Sequence, residues 1–296
     1  MQKKVVIDFY KVLMPADAPC TFEGMIENFM REVTALSERH VKISGNYIRL
    51  HDFQKRFHVY TGSMIKLRMD DIPQKGGLSG VLDDLPLSDD EGLADQTFFL
   101  YSPKYKILLY QRTNSGVRVS SFLHYLEKVT SIGPIELSPV LETDAVRKLT
   151  RMNLIRKFQF KFASPTNPAM LSAAGPSIGS AVEMMHEQGA GHIEIVLSVG
   201  RSRRGTLSLQ AVKNYALNLL KISKEDTDTV EKLIVTGKEL EDETSEPLDL
   251  LRHRMREQFS VTLKDRKIPV DECLNGMIQS YDKREPDLAE QFGNET

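Results

Sequence analysis

The feature that most constrains this chain is a run that mostly repeats every two residues. Ile155, Phe158, Phe160 and Phe162 mostly alternate with Lys157, Gln159 and Lys161. Such a run has one apolar and one basic side only when extended, so it specifies a strand with one buried face. Similar runs occur at 3–13, 41–50, 57–61, 65–69, 97–101, 105–111, 192–199 and 230–237. Turn chemistry separates them, at Ser44-Gly45-Asn46, Thr61-Gly62-Ser63 and Ser102-Pro103-Lys104.

Between the strands the period changes to that of a helix. Over 21–37, Phe22, Met25, Ile26, Phe29, Val33 and Leu36 make one apolar stripe. Further helices are expected at 120–129, with Ser120 as cap, at 177–188 before Gly189-Ala190-Gly191, and at 207–222. Pro247 suits a first helical turn leading to Leu248, Leu251 and Met255, and a final helix is expected over 270–282, followed by a frayed polar tail. The segment 76–95 reads as a loop with one helical turn. The fold class is therefore α+β, with mixed, largely antiparallel sheets and helices packed on them. Three regions follow: an N-terminal α+β region (1–140), a basic α+β region (141–237), and an acidic loop with a helical region (238–296).

With 296 residues and 41% hydrophobic content, the chain can bury a core of ordinary size, which excludes overall disorder. No run approaches the ~20 apolar residues of a spanning helix, so a cytoplasmic location is expected. Cys20 and Cys273 have no partner at metal or redox spacing. Gly189 and Gly191 interrupt the register between His186 and His192 that a zinc pair would need, and the carboxylates are scattered. No cofactor, no metal and no catalytic constellation are expected; an enzyme built from scattered carboxylates is the least favoured reading.

The net charge of -2 conceals a segregation. Residues 147–224 hold twelve Lys or Arg against three Glu and no Asp, while the remainder holds 27 basic and 38 acidic residues. Such asymmetry points to a polyanionic partner. The turn Gly200-Arg201-Ser202-Arg203-Arg204-Gly205 lies between a strand and a helix but lacks the Gly-Lys-Ser/Thr ending of a nucleotide loop. Arg156, Lys157, Lys161, Arg201, Arg203, Arg204 and Lys213 form a backbone-tracking patch if neighbouring elements pack together. Because the phenylalanines alternate away from the lysines, they read as core, which favours double-stranded over single-stranded DNA. The acidic residues Glu239, Glu241, Asp242 and Glu243 are candidates for masking this patch. A scaffold whose basic segment meets acidic loops of another copy stays open as the alternative.

The runs 45–51 and 57–61, the hairpin of Phe98-Phe99-Leu100-Tyr101 with 107–112, the helix Phe122-Leu123-His124-Tyr125-Leu126, and the strand 192–199 leading into Arg201-Ser202-Arg203-Arg204 and Lys213 together resemble the RexA family of phage lambda and its relatives. The likeness spans roughly residues 45–225. It implies a non-enzymatic, homodimeric or higher oligomeric DNA-binding protein of phage exclusion or antiphage defence, with an α+β fold related to the RdgC type. It also implies a second defence-system protein as partner, which no residue here identifies.

Overall fold

The computed structural model describes residues 1–163, 176–200, 205–225, 230–239 and 245–293. In chain order the elements begin β1 (Gln2–Leu13), α1 (Phe22–Glu32), a 3-10 turn (Leu36–Arg39), β2 (Val41–Ile43), β3 (Asn46–Arg56) and β4 (Val59–Arg68). Next come β5 (Lys75–Gly76), β6 (Leu82–Asp83), β7 (Leu93–Ser102), β8 (Ile107–Gln111), α2 (Val119–Thr130), β9 (Glu136–Pro139) and α3 (Thr143–Arg151). The chain continues with β10 (Leu154–Ala163), α4 (Pro176–Glu187), β11 (His192–Ser198), α5 (Leu209–Glu225), β12 (Val230–Lys238), β13 (Glu246–Asp249), β14 (Arg256–Thr262) and α6 (Val270–Phe292). They form two compact units, Met1–Glu136 with Glu257–Glu285, and Leu137–Arg256 with Pro286–Glu295. Residues 238–296 are thus divided between the two. Among the described residues, no helix is long and apolar enough to cross a membrane.

The first unit is built on a sheet of order β14-β1-β8-β7-β4-β3-β2, antiparallel from β1 to β2. Its centre is buried on both faces, and all five positions of β8 are inaccessible. On one face, Phe99 and Tyr110 pack on Phe122 of α2, and Tyr101 packs on Phe22 of α1. On the other, the Ser102 hydroxyl donates to the Tyr281 hydroxyl of α6 at 2.7 Å, so the buried polar pair satisfies itself.

Several expectations for this unit give way to tertiary contacts. The helix expected to Ser37 ends at Glu32, where the Val33 N–H reaches the Phe29 carbonyl. The buried Arg39 then donates to the Val33, Thr34 and His51 carbonyls and so fixes the chain as it leaves the helix. Leu36 falls in the 3-10 turn and is exposed. Thr61-Gly62-Ser63 is no turn: it lies inside β4, and Gly62 is there because a Cβ would sit 2.5 Å from the Phe99 ring and 2.6 Å from the Asp52 carbonyl. The reversal comes earlier, at Phe57, whose φ is 56°. Within 76–95 no helical turn forms; β5 and β6 make a short hairpin and β7 begins. Ser120 lies within α2, whose N-cap is Arg118 without a side-chain bond.

The second unit carries a four-stranded sheet of order β11-β10-β12-β13, antiparallel throughout. Phe158, Phe160 and Phe162 face a core with Ala145 and Leu149 of α3, Ala181 and Met185 of α4, and Val212, Ala216 and Leu219 of α5. Each buried aromatic side chain stabilises this layer by about 1.5–3 kcal/mol. The helix expected from Pro247 is replaced by β13 and β14. Pro247 and Leu248 pair opposite Thr236 and Val235, Leu250 is buried, and the Asp249 carboxylate accepts from the Leu251 and Arg252 N–H groups at the bend. Burial against β12 outweighs the local helical spacing. The expected frayed tail is helical as far as Phe292: Glu290 binds the Arg147 guanidinium, and the Gln291 amide donates to Leu141 and Thr143.

Gly62→Ala should lower stability by about 1–3 kcal/mol, since the added methyl meets backbone and a packed ring. The urea midpoint checks this, and an unchanged midpoint would mean that β4 and β7 are less closely apposed.

Candidate functional site

The alternation of β10 sorts its side chains as the sequence requires. Phenylalanines face the helices, while Lys157, Gln159 and Lys161 lie partly exposed on the opposite face. Cross-strand neighbours on that face are acidic as well as basic. Lys161 Nζ lies 2.6 Å from Glu231, whose other oxygen lies 3.0 Å from His192 Nδ1. Lys232 lies 2.8 Å from Glu194, which stands opposite Lys161 in register. The hydrogen bond from Lys161 holds the Glu231 carboxyl below the usual carboxylate range, and that from Lys232 does the same for Glu194, which also senses Lys161 and Lys157. Lys161 therefore has its charge largely answered within the fold.

A second group gathers where β10 begins and β11 and β12 end. Arg156 Nη1 donates to the Gly205 carbonyl at 2.7 Å, the Val199 N–H to the Arg156 carbonyl, and the Leu207 N–H to the Ile155 carbonyl. Val199, Gly205 and Leu207 are thereby stitched to the first residues of β10. Arg201, Arg203 and Arg204 lie outside the described residues. On the helix side, Lys213 Nζ donates to the Thr150 carbonyl at 3.4 Å, at the last turn of α3, which also carries the exposed Lys148 and Arg151. Three cationic groups at a helix C-terminus sit favourably against its dipole. Among the described residues, neither Lys148 nor Arg151 has a carboxylate at ion-pair distance.

The expected patch is thus only partly assembled. Arg156, Lys157 and Lys213 share one end of the sheet, not one face: Lys157 points to the side opposite the helices, and Lys213 belongs to the helix layer. Lys161 lies farther along the strand, inside the ion-pair network. Lys148 and Arg151 were not anticipated. Their signal was the spacing of Ala145, Leu149 and Met152, one buried stripe that defines α3. Of the proposed masking residues, Glu239 lines a cleft of ≈ 910 Å³ with Lys148, Arg151, Lys238, Met152 and Leu248, and residues 241–243 lie outside the described residues. Glu142 and Glu246 also stand on its wall. Among the described residues, no cluster of three metal-ligating side chains occurs.

The chain is thus a two-unit α+β protein whose second unit presents a basic end to an antiparallel sheet. It belongs to a family of unknown function, DUF6731, which matches residues 1–290. No curated protein matches the sequence.

A carboxyl depressed in the folded state stabilises above its ordinary value near 4.5 and loses that contribution as pH falls through the lowered value. Lys161→Met should therefore raise the Glu231 titration midpoint toward 4.5 in carbon-detected NMR. A midpoint that stays low would assign the shift to His192 instead.

Proposed function

We propose that this protein binds DNA without catalysing a reaction, contacting the phosphate backbone with little sequence preference, and acts as a cytoplasmic homodimer in antiphage defence or phage exclusion. The supporting observation is the gathering of Lys148, Arg151, Arg156 and Lys213 at one end of the sheet, with Lys148 and Arg151 unanswered by carboxylates among the described residues; Arg201, Arg203 and Arg204 follow β11 in sequence. Such groups attract phosphates through charge and counterion release, which confers affinity without base reading. Phe158, Phe160 and Phe162 are buried and offer no stacking platform, which favours duplex DNA over single strands. Glu142, Glu239 and Glu246 share the cleft lining with Lys148 and Arg151, so a phosphate entering the cleft meets both signs of charge, whereas Lys213 stands outside that lining. The resemblance of residues 45–225 to the RexA family adds to this reading.

Fluorescence anisotropy with labelled duplex DNA tests it. Between 50 and 200 mM salt the affinity should fall by about a hundredfold or more. Arg151→Glu with Lys213→Glu, and separately Arg203→Glu with Arg204→Glu, should each weaken binding and flatten the salt slope by roughly one unit per lost contact; the first pair should also lower the thermal midpoint slightly by opposing the α3 dipole, and the second should leave it unchanged. A protein that self-associates yet shifts no duplex at 50 mM salt would favour the scaffold alternative.

A further inference from the structure

Residues 70–91 form an arm in the first unit that lies almost wholly in solvent. Its β5–β6 ladder pairs only Lys75 with Asp83 and Gly76 with Leu82, too short a hairpin to hold a core of its own. Nevertheless it displays four large apolar side chains, Leu78, Val81, Leu82 and Leu87, at 112%, 55%, 66% and 36% exposure. Exposed apolar groups concentrated in one segment mark a contact surface, whereas the same residues scattered singly would mean little. Around them stand seven carboxylates and one lysine. Lys75 reaches Asp83 at 3.8 Å and the Gln74 amide donates to Asp84, while Asp70, Asp71, Asp89 and Asp90 make no ion pair among the described residues.

The charge selects the occupant. Nucleic acid is repelled, so the arm fits a protein surface that is both apolar and basic. The chain carries such a surface in its second unit. β11 is an edge strand whose Val196 and Leu197, on opposite faces, are 47% and 43% exposed, and it ends opposite Lys157 at the same end of the sheet as Arg156 and Lys213. Each copy thus holds one acidic-apolar arm and one basic-apolar acceptor, so the arm of one copy is complementary to the acceptor of another. We propose that the 70–91 arm docks in trans on β11 and the basic end of a second copy, where it competes with DNA. The competition rests on that end being the anion-binding surface proposed above; the self-association does not.

Sedimentation equilibrium of the full chain without DNA separates the two ideas. The wild type should form a dimer that weakens as salt rises. The variant D83N/D84N/D89N/D90N and, independently, L78S/V81S/L82S should each raise the dimer Kd about tenfold or more. Lys148→Glu with Arg151→Glu should do the same from the acceptor side. The four-Asn variant should also bind duplex DNA more tightly at fixed salt. A wild type that stays monomeric, or a dimer indifferent to both arm variants, overturns the docking. A dimer that responds to the arm variants but binds no DNA keeps the docking and removes the competition.

Discussion

The register of β10 is the constraint on which the second unit depends. The strand lies between β11 and β12, so its side-chain alternation sets what both neighbours present. A slip of one residue would carry Lys157, Gln159 and Lys161 into a core built around three phenylalanines, at a desolvation cost no contact there offsets. Register shifts at Ile155/Lys157 and Lys161/Phe162 let the pairing to β12 adjust at both ends while the aromatic row between them keeps its face. The helix layer, the ion-pair network and the placement of Arg156 at the strand's start all follow.

Charge counted along the chain and charge arranged in space differ for a physical reason. The basic segment 147–224 ends before Glu231 and Lys232, yet antiparallel pairing sets these beside Lys161 and Glu194. Each ion pair joins a residue inside the segment to one beyond it. Exposed pairs of this kind contribute little to stability, but they change which cations a partner can reach. The accessible positive charge accordingly shifts from the middle of the sheet to its end.

Elements with a strong period were legible from the sequence. The Phe158–Phe162 alternation, the β7–β8 hairpin, and the helices bounded by Gly189 and by Thr21 were read correctly in kind. Where reading failed, a distant contact decided. Gly62 looked like a turn residue because glycine favours turns, whereas its reason is the nearness of Phe99. Leu248 and Leu251 have helical spacing, yet pairing with β12 makes the first a strand residue. At the candidate site, Arg156 and Lys213 were legible as basic residues near the turn. Their separation from Lys161 was not, because it depends on which face each element presents and on a carboxylate 70 residues away. Lys148 and Arg151 went unnoticed because α3 is only nine residues long.

The first unit is interrupted in sequence: its sheet takes β1 from the start of the chain and β14 from beyond residue 256. During synthesis the stretch of β1 that pairs with β14 therefore stays open until every strand of the second unit has been made. A long wait with an unpaired edge is the circumstance in which nascent chains associate wrongly. Lys3 and Lys4, at the head of β1, place charge on that edge during the interval.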